Sequence, residues 1–168
     1  MPVAARKPDS AADSVGFMLS TLGHAVSRRF FHALQPLELH PREFAVLRAV
    51  RANDGQSQQT LAERLRIPPS RMVAIVDELE SRGLIERRPD PADRRVRALS
   101  VTERGQTLLE DAFNLVVEHE EAISGALTTQ ERDELLALLN RIAGRLGLPT
   151  DVHSALPDEF AAAPRSNA

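Results

Sequence analysis

Asp93, Arg94 and Arg95 lie within RRPDPADRRVRALSVTERG, residues 87–105, a stretch that holds six arginines. Arginine offers a planar fork of N–H donors that matches phosphate oxygens and the O6/N7 edge of guanine. On a projecting loop, Arg94 and Arg95 suit a narrow minor groove, where negative potential is concentrated. A carboxylate at such a tip is repelled by phosphate, so Asp93 is expected to order the loop by pairing with an arginine or accepting backbone N–H bonds. Arg87, Arg88 and Arg97 flank the tip as further cations. Two more groups fit the same chemistry. Ser57, Gln58 and Gln59 open a helix, where unpaired backbone amides and side-chain donors suit a phosphate. Ser70, Arg71 and Ala74 stand near the start of the next helix, with Arg71 the long donor for a guanine edge.

Those side chains need elements to hold them. Apolar residues at helical spacing from Ala12 to Gln35 predict a long first helix, ended by Pro36. Pro41 opens a second helix, which NDG at 53–55 stops. Ser57 caps a third, broken by IPP at 67–69, and Pro69 begins a fourth that Gly83 ends. In this fourth helix Met72, Ile75, Val76 and Leu79 make the core stripe, which sets Ser70, Arg71, Ala74, Asp77 and Glu78 on the opposite face. LIERR and VRALSV flank a turn rich in Asp and Pro and predict a hairpin. Thr102 opens a long fifth helix, and Thr128 or Thr129 caps a sixth that ends at Gly147 and Pro149. The expected fold is mainly α with a small β-hairpin wing: a winged helix-turn-helix domain over 39–101, flanked by a helix at 12–38 and two helices at 102–147. Residues 1–11 and 148–168 read as flexible tails.

Composition narrows the chemistry. The 168 residues are 42% hydrophobic and carry a formal net charge of −3, enough for one domain with a real core. Charge is uneven: about +1 over 1–81, +3 over 82–108 and −7 over 109–168, so the cationic stretch is local. No cysteine is present, which removes disulfides, thiolate metal sites and thiol redox sensing. His119, Glu120 and Glu121 are consecutive and diverge on a helix, and no His-x-x-x-His pair occurs, so no metal or other cofactor is expected. No spacing supplies a nucleophile with its base, and the chain is not expected to be an enzyme. No apolar run reaches bilayer length and the N-terminus lacks signal-peptide order, so a cytoplasmic protein without a membrane partner is expected.

QTLAERLRIPPSRMVAIVDELESRGLIERRPDPADRRVRALSVTERG, residues 59–105, resembles the winged helix-turn-helix of the MarR family, the multiple-antibiotic-resistance-type regulators. The most specific piece is Asp93, Arg94 and Arg95 followed by Leu99, Thr102 and Gly105, similar to the family's Asp-x-Arg and Leu-Thr-x-x-Gly signatures. The resemblance implies a homodimer whose first and last two helices (12–38, 102–147) form a dimerisation domain. Each winged domain then reads half of a pseudo-palindromic operator in double-stranded DNA. It also implies that Arg95 enters the minor groove while Asp93 orders the wing. Family members are often repressors released by a small aromatic or anionic effector. Phe17, Thr21, His24, Arg28 and His32, with the three basic residues at i, i+4 spacing, are the candidate lining for such a ligand. Three departures stand out. Glu38-Leu39-His40 replaces Gly-Leu-Thr, so a capping Thr is lost; Pro68 replaces a capping Ser or Asp; and Glu78 stands where Arg is frequent. Two alternatives remain at this level: a dimeric regulator of the same fold without an effector, and an interaction protein that has lost DNA binding.

Overall fold

The computed structural model describes residues 14–89 and 97–148. The expected tails therefore lie outside the described residues, apart from Leu148, and so does the hairpin tip. In chain order the elements are α1 (Val15–Leu34), a 3-10 turn (Gln35–Leu37), α2 (Pro41–Ala52), α3 (Gln58–Leu65), α4 (Pro69–Ser81), β1 (Ile85–Pro89), β2 (Arg97–Val101), α5 (Glu103–Ser124) and α6 (Thr129–Arg145). The chain is mainly helical with one two-stranded antiparallel sheet, as the sequence predicts.

The junctions show why these boundaries arise. Pro36 ends α1 as an α-helix, but the chain tightens into a 3-10 turn before Glu38 takes a left-handed φ of 50°. Glu38 thus occupies a conformation that glycine adopts without steric cost. The expected loss of the cap before α2 is corrected by the structure. His40 Nδ1 accepts from the Arg42 amide at 3.1 Å, while Glu43 Oε2 accepts from the His40 amide at 2.8 Å. The pair is a capping box in which an imidazole replaces a hydroxyl. At α4 the expectation holds, because Pro68 provides no side-chain cap.

Leu34, Val46, Leu47, Val50, Leu61, Met72, Val76, Leu79, Leu99 and Leu109 are wholly buried and bring α1 through α5 and the hairpin onto one core. Phe44 joins that core to its neighbours edge-on, with ring centroids 5.9 Å from Phe30 on α1 and 5.6 Å from Phe113 on α5. Ile85 pairs with Val101 and Pro89 with Arg97 across the hairpin. The segment before α3 runs along β2: Gly55 donates to the Leu99 carbonyl and Leu99 to the Gln56 carbonyl, both at 3.0 Å, and Ser57 bridges Ala98. The start of α3 is consequently fastened to the wing.

The same core leaves other helices uncovered. Val15, Met18 and Leu22 belong to the apolar stripe of α1, and together with the candidate ligand residue Phe17 they are 41–65% exposed in the single chain. Helix α6 buries none of its residues, although Leu135, Leu136 and Leu138 line it.

Helix α6 has a second capping box, in which the Thr128 amide and hydroxyl both donate to Glu131 Oε2 at 2.8 Å. The Thr128 backbone donor, and then its hydroxyl, hold the Glu131 carboxyl below the usual carboxylate range. A depressed folded-state value means that this cap stabilises above the unfolded-state pKa and is lost as pH falls through the folded one. The protection factors of the amides in the first turn of α6, taken relative to the intrinsic exchange rate at each pH, are therefore expected to fall on acidification in wild type and to be low at both pH values in Glu131→Ala. Equal protection of that turn in the two proteins at neutral pH refutes the assignment.

Candidate nucleic-acid interface

Three separate sequence segments meet at Arg87. Its Nη2 donates to Gln58 Oε1 at 3.2 Å and to Asp77 Oδ1, and its Nη1 pairs with Glu80 Oε2. A residue of β1 thus clasps the first turn of α3 and the C-terminal half of α4. Burial opposes the Arg87 charge, but the Asp77 hydrogen bond and the charges of Glu80 and Asp77 outweigh it and push its pKa further up. The sequence suggests Arg87 as a DNA contact. Its donors are instead directed at three groups of its own chain, which makes it the brace of the wing root.

The other expected residues divide by position. Ser57 Oγ accepts from the Thr60 amide at 3.1 Å and caps α3, while Gln58 is half-buried and Gln59 exposed at the first turn. The hydroxyl of Ser57 thus serves the helix. Gln59 Nε2 donates to Glu63 Oε1 at 3.1 Å. Arg88 is exposed and paired with Glu86, and Arg97 is exposed at the start of β2. Asp93, Arg94 and Arg95 lie outside the described residues.

On α4 the exposed stripe is Ser70, Val73, Ala74 and Asp77, whereas Arg71 and Glu78 are half-buried at its flank. The helical arithmetic available from the sequence places Ser70, Ala74 and Asp77 correctly. It leaves Val73 unassigned, since nothing local distinguishes an outward valine from a core one. An open groove of about 740 Å³ separates α3 from α4, with Ala62, Ile67, Pro69 and Met72 among its lining and Gln58, Gln59, Arg66 and Val73 beside them. Its presence explains why Val73 has no apolar cover.

The candidate ligand lining is open to solvent in the single chain. Phe17, Thr21, His24, Arg28 and His32 are all exposed along α1, and His32 Nδ1 lies 3.2 Å from Gln35 Oε1. A single amphipathic helix cannot enclose a ligand without a facing wall. Among the described residues no group of three or more His, Asp or Glu is arranged to hold a metal, and no helix is long and apolar enough to cross a membrane.

Comparison with known proteins agrees with this geometry. The MarR family model matches residues 37–96. A protein of Thauera aromatica assigned to transcriptional regulation of the hcr operon is 32% identical over 134 residues, covering 79% of this chain and 81% of that protein. The chain belongs to the MarR family. Among solved MarR-like structures, the transcriptional repressor CouR bound to a 23-mer DNA duplex superposes with a TM-score of 0.73 at 35% identity, covering 83% of this chain and 99% of that one. CouR from Rhodococcus jostii RHA1 bound to p-coumaroyl-CoA gives 0.70 at 31% identity, covering 86% and 99%. The protein is a transcriptional regulator of MarR type with a DNA-binding winged helix-turn-helix.

Proposed function

We propose that the protein is a homodimeric repressor that binds a pseudo-palindromic operator and is released by an aromatic, anionic effector. In this reading α4 enters the major groove, the first turn of α3 holds a phosphate, and Arg94 and Arg95 reach the minor groove with Asp93 ordering the wing. Arg71, Arg88 and Arg97 add charge at the flanks. The observation that carries it is the likeness to DNA-bound CouR over nearly all of that chain, together with the gathering of α3, α4 and the wing root at Arg87.

The exposed apolar stripes of α1 and α6 support the dimer, because a lone chain rarely leaves such faces in water. A dimer also supplies the wall missing opposite His24, Arg28 and His32, and the CouR complex with p-coumaroyl-CoA suggests an aromatic acyl thioester or its acid as the effector class. The uneven charge fits as well, since the cationic excess is concentrated in residues 82–108, which include the wing.

Fluorescence anisotropy on duplexes from the region upstream of its own gene tests the reading. Arg95→Ala is expected to weaken binding by about tenfold and to flatten the log-affinity against log-salt slope by about one phosphate contact. An unchanged slope and affinity sink the wing assignment, and a monomer in light scattering sinks the dimer. Failure of p-coumaroyl-CoA, p-coumarate and related aromatic acids to release the duplex removes the effector.

A further inference from the structure

The exposed stripe of α4 follows the i, i+3, i+4, i+7 rule through Ser70, Val73, Ala74 and Asp77, and it contains no long hydrogen-bond donor. Two of its members have surroundings that point to a ligand. Val73 keeps 43% of its surface exposed at the rim of the groove, on the face where polar side chains are otherwise the rule. Asp77 is 57% exposed by side chain, yet its Oδ1 is gripped by Arg87, which Glu80 and Gln58 hold in turn. The Asp77 carboxylate is thus fixed in orientation by an arginine whose charge it shares with Glu80, and a second oxygen remains to accept.

On the major-groove edges of the bases, thymine carries a methyl group and cytosine carries an N4 amino donor for which a carboxylate is the matching acceptor. Phosphate repulsion disfavours a carboxylate in the groove, and pairing with an arginine offsets part of that repulsion. We infer that Val73 and Asp77 are specificity-determining residues: Val73 packs on a thymine methyl, and Asp77, paired with and oriented by Arg87, accepts from a cytosine amino group. Four helical residues span about 6 Å, so the two bases lie within about two base pairs of each other. This rests on the proposed DNA-binding function and adds the base identities that it leaves open.

The test begins with selection of the tightest duplex from a randomised pool by the full-length protein. Replacing individual thymines by deoxyuridine removes only the methyl. Wild type is expected to lose about 3- to 5-fold affinity at one thymine per half-site, and Val73→Ala to show no loss there. Asp77→Asn is expected to shift the selected base from cytosine to adenine, which an amide reads through N6 and N7. Glu80→Gln, which removes the other carboxylate on Arg87 but nothing facing a base, is expected to select the same sequence as wild type. A deoxyuridine penalty that persists in Val73→Ala, or an Asp77→Asn protein that selects an unchanged sequence, overturns the assignment while leaving DNA binding intact. A pool that yields no preferred duplex defeats the proposed function itself, and this inference with it.

Discussion

Gly105→Ala is expected to destabilise the protein by about 3 kcal/mol and to lower its Tm by roughly 10 °C. The site is the first turn of α5, where the helix crosses the turn that leads into β1. A Cβ built on Gly105 falls 2.0 Å from the Leu84 carbonyl oxygen and 2.8 Å from Val101 Cγ1. The first of these is backbone and cannot rotate away. That backbone is itself pinned, because Thr102 donates through its amide to Leu84 O at 3.1 Å and through its hydroxyl to Gly83 O at 2.6 Å. Relief of the clash therefore has to lift α5 off the base of the hairpin, breaking both bonds. Calorimetry or thermal circular dichroism measures the loss. Glycine's flexible backbone is not the issue here, since only space is lacking, and a Tm within about 2 °C of wild type refutes the close approach.

Arg82→Ala comes second, with an expected cost of about 2 kcal/mol. Arg82 is the C-cap residue of α4, and its guanidinium pairs with Glu43 Oε2 at 3.3 Å and reaches the Leu37 carbonyl at 3.5 Å. Glu43 is 7% exposed, so removal of Arg82 takes the cation from a nearly buried carboxylate that keeps the His40 amide. Breaking a fully buried pair costs about 3–5 kcal/mol, and the lower figure here reflects the residual exposure of Arg82. The double variant Glu43→Gln/Arg82→Ala is expected to recover part of the loss, because the amide retains the bond to the His40 amide without a charge to desolvate. If the double variant is as unstable as the sum of the singles, the two residues are not coupled.

Both predictions concern places where local sequence rules mislead or fall silent. Thr102 and Gly105 are recognisable as signature residues, and Thr102 reads correctly as a cap, yet only the packed structure shows that Gly105 is glycine because Leu84 comes within touching distance. His40 reads as a lost cap under residue-type preferences. The ring nitrogen takes over, which depends on a side-chain orientation that the string of letters does not carry. Helix order, the hairpin and the caps at Ser57 and Thr128 follow from short-range chemistry and are legible for that reason. The site is legible less evenly. Cation clustering identifies the wing, but charge counts do not distinguish Arg87, which is turned onto Asp77, Glu80 and Gln58, from the exposed Arg97. Pairings across 7 to 29 positions of chain decide that, and no local pattern encodes them.

The short run at 55–57 stitched along β2, with Arg87 binding β1 to α3 and α4, makes the reading parts a single plate. A printing plate can be tilted or moved apart from its twin, but its letters do not shift. In the proposed dimer, a signal arriving through α1, α5 or α6 is then expected to alter the pitch between two plates and not the text that each one prints. An effector-bound dimer is accordingly expected to lose affinity for its full operator while a single half-site is still read with the same base preferences.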